Sequence, residues 1–128
     1  MTVWKLHHVD GSEEPIKTKG HLVQLLTKFQ AQREDRPFVL DLEGPSGALG
    51  FGVGRPDTFL HHTPAGGLPP YMMSRGSGPP GNVLVYFYGG DWTEIDTEAA
   101  IPWTQAIGAI LDYYETGNLS SAVDWAEV

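Results

Sequence analysis

The sequence predicts an α+β fold: a single domain with a mainly antiparallel sheet of about five to six strands and two helices packed on it. Three observations lead there. Apolar residues alternate with polar ones in several short segments separated by Gly, Pro, Asn and Asp, the pattern of half-buried strands joined by turns. Two other segments, Leu22–Phe29 and Trp103–Tyr114, space their apolar residues along one helical face. The chain has 128 residues, 41% of them hydrophobic, and at that length roughly two-thirds of the unfolded surface can be buried around one core.

Taken in order, residues 2–8 alternate Trp4 and Leu6 with Lys5 and His7 and form a first strand. Asp10 to Pro15 reads as a turn, and Thr18 is placed to cap a helix that carries Leu22, Leu25, Leu26 and Phe29 and runs to about Arg33. Phe38, Leu40 and Leu42 alternate with Val39, Asp41 and Glu43 in a second strand that ends at the turn Gly44-Pro45-Ser46-Gly47. From Ala48 to Gly54 every second residue is large and the alternates are Ala or Gly. That strand has one bulky face and one bare face, which another backbone or side chain can approach closely. A short fourth strand is expected from Thr58 to His62. Residues 64–81 hold five Pro and five Gly, so a long surface loop is expected, with Tyr71-Met72-Met73 as the one segment able to form an element. Val83 to Tyr88 is the strongest strand signal, apolar on both faces and therefore expected at the centre of the sheet. Gly89-Gly90-Asp91 should turn it back into Trp92–Asp96. A second helix begins near Pro102, lays Trp103, Ala106, Ile107, Ile110, Leu111 and Tyr114 on one stripe, and closes at Gly117 in a left-handed conformation. On that spacing Tyr113 should face outward beside Asp112. The final segment, through Val123 and Trp125, is expected to be extended and packed back on the sheet.

Charge is distributed unevenly. The eight Lys and Arg all lie between Lys5 and Arg75, whereas residues 76–128 carry Asp91, Glu94, Asp96, Glu98, Asp112, Glu115, Asp124 and Glu127 with no Lys or Arg. The formal net charge of −8 therefore belongs to the C-terminal part. Such a field repels phosphate backbones and steers cationic partners. Direct nucleic-acid binding is disfavoured; a basic protein partner and simple solubility both remain open. The N-terminus lacks the basic-then-apolar order of a secretory signal, and no apolar run is long enough to span a bilayer. A cytoplasmic, non-membrane protein is expected. Cysteine is absent, which excludes disulfides and thiolate chemistry within the chain.

No constellation of catalytic residues emerges. The adjacent pairs His7-His8 and His61-His62 point to opposite faces of their strands and cannot readily chelate one ion, so no metal site and no cofactor are expected. The glycines at 50, 52 and 54 lack the spacing and following helix of a dinucleotide fingerprint. Asp41 and Glu43 share a strand face, as do Glu94 and Asp96; acid–base work and plain solvation both account for them. Aromatic residues are more informative, because Tyr and Trp anchor protein interfaces. Trp92, beside a turn and followed by acids, is equally consistent with core or interface. Tyr71 and Met72 fit either an edge strand or an adaptable binding loop.

The segments Ala100-Ile101-Pro102-Trp103-Thr104-Gln105-Ala106-Ile107, Tyr114-Glu115-Thr116-Gly117 and Val123-Asp124-Trp125 together resemble the first-numbered immunity-protein family of bacterial polymorphic toxin systems. In that family an Ile-Pro opens the last helix, a Thr-Gly closes it and a Trp follows. The strand Val83–Tyr88 leading to Gly90-Asp91-Trp92 is similar to the family's central hairpin. The resemblance implies a small α+β antitoxin, encoded beside a toxin that is often a nucleic-acid deaminase, which acts by covering the toxin's active site or substrate groove and carries no catalytic residues of its own.

The function expected is thus neutralisation of a cognate toxin protein through an acidic, aromatic surface formed by Asp91, Trp92, Glu94 and Asp96, with Asp41, Glu43, Tyr71 and Met72 as further candidates. The alternative is a small-molecule binding or resistance protein in which the loop at 64–81 is a lid over the bare glycine face. The identity of the toxin and the oligomeric state are open.

Overall fold

The computed structural model describes residues 4–8, 10–31, 37–88 and 91–128. Two helices pack on a mostly antiparallel sheet, as expected, but among the described residues that sheet has nine strands rather than five or six. Several of the extra strands are short and carry little pattern of their own.

Trp4–His7 (β1) pairs with Glu13–Ile16 (β2), a strand where the sequence predicts part of a turn. The turn is shorter because the Asp10 carboxylate accepts both the Ser12 N–H at 2.8 Å and the Ser12 hydroxyl at 2.6 Å, closing the bend within three residues. Pro15 is tolerated in β2 because β2 is an edge. Helix α1 (Lys19–Ala31) starts where the Thr18 hydroxyl accepts the His21 N–H at 3.1 Å. Its Leu22 and Leu26 are buried and Leu25 and Phe29 pack beside them. The expected end near Arg33 lies outside the described residues, as do residues 2 and 3 of the first strand.

Phe38–Gly44 (β3) and Gly47–Val53 (β4) form the predicted hairpin. The single strand expected over Thr58–His62 is two: Asp57–Thr58 (β5) and Leu60–Pro64 (β6), which belong to different sheets. The chain changes sheets there because the Thr58 hydroxyl bonds to the Gly52 backbone, donating to its carbonyl at 2.7 Å and accepting its N–H at 3.0 Å. The long loop expected over 64–81 is interrupted by Met72–Arg75 (β7), paired on one side with β6 and on the other with Asp124–Glu127 (β11). The terminal segment does pack on the sheet, and it is this packing that makes Met72–Arg75 a strand.

Val83–Tyr88 (β8) and Asp91–Asp96 (β9) form an antiparallel hairpin, its turn at 89–90 lying outside the described residues. The expectation of a central β8 covered on both faces is corrected. Among the described residues its ladder with β3 has the single register pair Phe38 and Phe87, and on its outer face Val83 is 49% exposed. A sequence apolar on both faces is explained by the hairpin's inner face packing on the sheet while its outer face stays open.

A single 3-10 turn (Thr97–Ala99) and a short strand Ile101–Pro102 (β10), paired with β5, lead into helix α2 (Trp103–Thr116). Gly117 closes α2 at φ +74°, its N–H donating to the Tyr113 carbonyl at 2.8 Å. The stripe is wider than the one expected: Trp103, Ile107, Leu111 and Tyr114 pack against the core as predicted, and Ala109 and Tyr113 join it. Ala106, Ala109, Ile110 and Tyr113 are its buried residues, and Tyr113 is 1% exposed rather than outward-facing. Its hydroxyl is satisfied inside, within 3.1 Å of His62 Nε2 and 3.3 Å of Ser46 Oγ. Both partners are remote in sequence.

The sheet thus carries two cores. Leu40, Leu42, Leu49, Phe51 and Leu60 face the helices. On the other face, Val39 and Phe59 meet Tyr86 of the hairpin and Ala99. Among the described residues no helix is long and apolar enough to cross a membrane.

Candidate functional site

Alternation along β8 and β9 divides the hairpin into two faces. Leu84, Tyr86, Thr93 and Ile95 point toward the sheet, and Tyr86 locks the hairpin there. Its ring lies against the backbone of Gly52, where a Cβ would come within 2.3 Å of it. Its hydroxyl donates to the Asp57 carbonyl at 2.9 Å, and the Arg55 guanidinium, 5.6 Å from the ring centroid, donates to the Val85 carbonyl at 3.1 Å. Burial pushes the Tyr86 phenol up to about 12, so it remains a donor at any physiological pH. The bare glycine face expected in β4 is therefore covered by this hairpin and not by the segment 64–81.

The outer face holds Val83, Val85 and Phe87 of β8 and Trp92, Glu94 and Asp96 of β9. Trp92 is 52% exposed and meets Phe87 edge-on with centroids 5.6 Å apart. The outer face thus sets a row of apolar side chains along β8 beside carboxylates along β9.

Of the predicted residues, Trp92 and Glu94 are brought together on this outer face; Asp91 is also exposed, but its register partner is Tyr88 and it falls on the opposite side of the hairpin. Asp96 is spent on the fold. Its carboxylate accepts the N–H of Glu98 at 2.8 Å and of Gly81 at 3.2 Å, and these hydrogen bonds hold it below the usual carboxylate range. Other acids of the C-terminal part are also engaged: Glu98 with Arg75, Glu115 with Lys19, and Asp112 with the Ser120 hydroxyl. Asp41 lies under the hairpin, its Oδ2 accepting the Tyr88 hydroxyl at 2.8 Å, and Tyr88 is the register partner of Asp91. Glu43 is two residues farther along β3, 3.4 Å from His7 Nε2.

Tyr71 and Met72 do not join the outer face. Tyr71 donates to the Gly67 carbonyl at 2.6 Å and stacks on His61, while Met72 sits opposite His62 in the β6–β7 ladder. Sequence reasoning does not single out Val83, Tyr88 or His61 as site residues. Val83 carries a signal in the alternation of β8 and Tyr88 in the opposite face of the same strand, but which side stays open depends on the hairpin's attachment.

Beneath the hairpin, between its inner face and the sheet, is a cleft of about 220 Å³ lined by Asp41, Gly50, His61, Met73, Tyr88 and Ile95 among others. His61 and His62 do point to opposite faces, His61 into this cleft and His62 toward Tyr113. Burial holds both imidazoles below their usual range; for His61 the nearby Asp41 opposes this, and for His62 the charge on His61 adds to it.

Compared with known families, the chain matches the model described as Immunity protein Imm1 over residues 10–127. No curated protein matches it.

Proposed function

The chain belongs to the Imm1 family of immunity proteins, and on that premise we propose that it binds and neutralises a cognate bacterial toxin through the outer face of the β8–β9 hairpin. The toxin in this reading acts on nucleic acid, as deaminase-type toxins do. The observation that carries the surface is Trp92, 52% exposed and set edge-on against Phe87, with Glu94 exposed on the same face of the strand. An exposed Trp backed by an aromatic neighbour is the kind of anchor that protein interfaces use. A toxin that handles nucleic acid has a basic groove, and exposed carboxylates on a rigid hairpin fit that groove in place of phosphates. The protein acts as a single domain in the cytoplasm, without cofactor or catalysis, by occupying the toxin. Trp92 and Glu94 make the contact on the outer face, Asp91 adds charge from the hairpin's end, Asp41 lies beneath the hairpin with Glu43 farther along β3, and Asp96 contributes only its field.

The test is co-purification with the toxin encoded beside this chain, followed by Trp92→Ala and Glu94→Lys. Trp92→Ala should weaken the complex about tenfold or more, since tryptophans that anchor interfaces contribute about 2 kcal/mol or more. Glu94→Lys should slow association and flatten its salt dependence. If both variants bind as the parent does, the surface is wrong; if the parent forms no complex and gives no protection, the function is wrong.

A further inference from the structure

The cleft under the hairpin holds a carboxylate, Asp41, that has a hydrogen-bond donor in Tyr88 but no ion-pair partner among the described residues. Asp41 projects from the second face of β3 opposite Gly50, and a Cβ on Gly50 would lie 2.7 Å from Asp41 Oδ1. The carboxylate can lie flat against the strand only because that position has no side chain. Oδ2 takes the Tyr88 hydroxyl at 2.8 Å, and a carboxylate can accept several more hydrogen bonds. Among the described residues no Lys, Arg or His lies within ion-pairing distance of Asp41: Lys5 pairs with Glu13, Lys19 with Glu115, Arg75 with Glu98, and His7 with Glu13 and Glu43. Nor do the cleft's own groups neutralise it. Burial keeps the His61 imidazole below its usual range, and the Tyr88 phenol, pushed up to about 12 by burial first and by Asp41 second, stays a neutral donor.

Size and wall chemistry narrow the ligand. At about 220 Å³ the cleft falls below the roughly 300–1,000 Å³ of sites that enclose a whole small molecule, yet it suits one long side chain. Met73 and Ile95 offer apolar contact for a methylene stem, while His61 and Tyr88 present aromatic rings near the carboxylate. Asp41 and Tyr88 also line a second, more open depression of about 450 Å³, so the carboxylate is reachable from outside. A guanidinium matches this better than an ammonium: it is planar, less strongly hydrated, stacks on aromatic rings and can bind a carboxylate through two N–H groups.

We propose that this cleft receives an arginine side chain of the protein partner, with Asp41 as its counter-ion and the β8–β9 hairpin as its outer wall. The proposal rests on the toxin-binding reading for the source of that arginine, but the pocket can be tested without the toxin. The chain, labelled for NMR, is titrated with N-acetyl-arginine methylamide and with its neutral isostere N-acetyl-citrulline methylamide. Saturable shifts at Gly50, His61 and Tyr88 are expected with arginine and not with citrulline; Asp41→Asn should abolish them, and Tyr88→Phe, which leaves the carboxylate in place, should retain them. With the cognate toxin, Asp41→Asn should cost about tenfold or more in affinity, whereas Asp124→Asn, which removes the same charge elsewhere, should cost little. Equal shifts with citrulline, or shifts that survive Asp41→Asn, would overturn the pocket. A toxin complex indifferent to Asp41→Asn would overturn its role and leave the toxin reading standing; arginine-selective shifts with no toxin complex would do the reverse.

Discussion

Replacing Gly52 by Ala tests the way the hairpin is held against the sheet. The added Cβ would sit 2.3, 2.6 and 2.8 Å from three atoms of the Tyr86 ring, all inside contact distance, so the ring has to retreat. It has little room: Tyr86 is fully buried, its hydroxyl is tied to the Asp57 carbonyl at 2.9 Å, and Phe59 meets it edge-on at 5.4 Å. Overpacking of this kind costs about 1–3 kcal/mol, and losing the Tyr86–Asp57 hydrogen bond adds about 1 kcal/mol, for a total of about 2–4 kcal/mol. For 128 residues the unfolding entropy is roughly 0.27 kcal/mol/K, so Tm should fall by about 7–15 °C. Gly108→Ala is the internal control of opposite sign. Gly108 is exposed inside α2, and nothing lies within 4 Å of the point a Cβ would occupy there. That exchange removes only a helix penalty of about 1 kcal/mol and should raise Tm by about 3–4 °C. Thermal melts followed by circular dichroism read both. If Gly52→Ala melts within about 2 °C of the parent while Gly108→Ala gains stability, Tyr86 does not lie over Gly52 and the placement of the hairpin is wrong.

Two further outcomes follow from buried polar groups. Tyr113→Phe removes a hydroxyl that meets His62 at 3.1 Å and Ser46 at 3.3 Å; with those partners left short of a bond, the cost is about 1–2 kcal/mol, a fall in Tm of about 4–7 °C. Because burial lowers the affinity of His61 and His62 for a proton in the folded chain, the unfolded chain takes up protons there first as pH falls. The stability they contribute is complete above the unfolded value of 6.5 and is lost as pH drops from there toward their lower folded values. Tm should therefore decline as pH falls from about 7.5 to about 5.5, and His61→Gln should make that decline shallower; a decline of unchanged slope would assign it to other groups.

How much was readable in advance divides along a physical line. The Thr18 cap, the Gly117 closure and the β3–β4 turn depend on residues within a few positions of each other, and each was visible in the sequence. So was the alternation of β8 and β9, and with it the grouping of Trp92 and Glu94. The resemblance carried by the C-terminal third was enough to point to the family. What the sequence could not supply is which strand neighbours which. Met72–Arg75 is a strand because β6 and β11 flank it, and Tyr113 turns inward because His62 and Ser46 wait there. The acidic, aromatic surface expected from charge alone became a specific face only once the hairpin was seen to fold over the glycines of β4, leaving Trp92 outside and Asp41 beneath. Local hydrogen bonding and side-chain period decide that an element exists. Long-range contacts, between residues whose meeting no short window records, decide which of its faces remains free to bind.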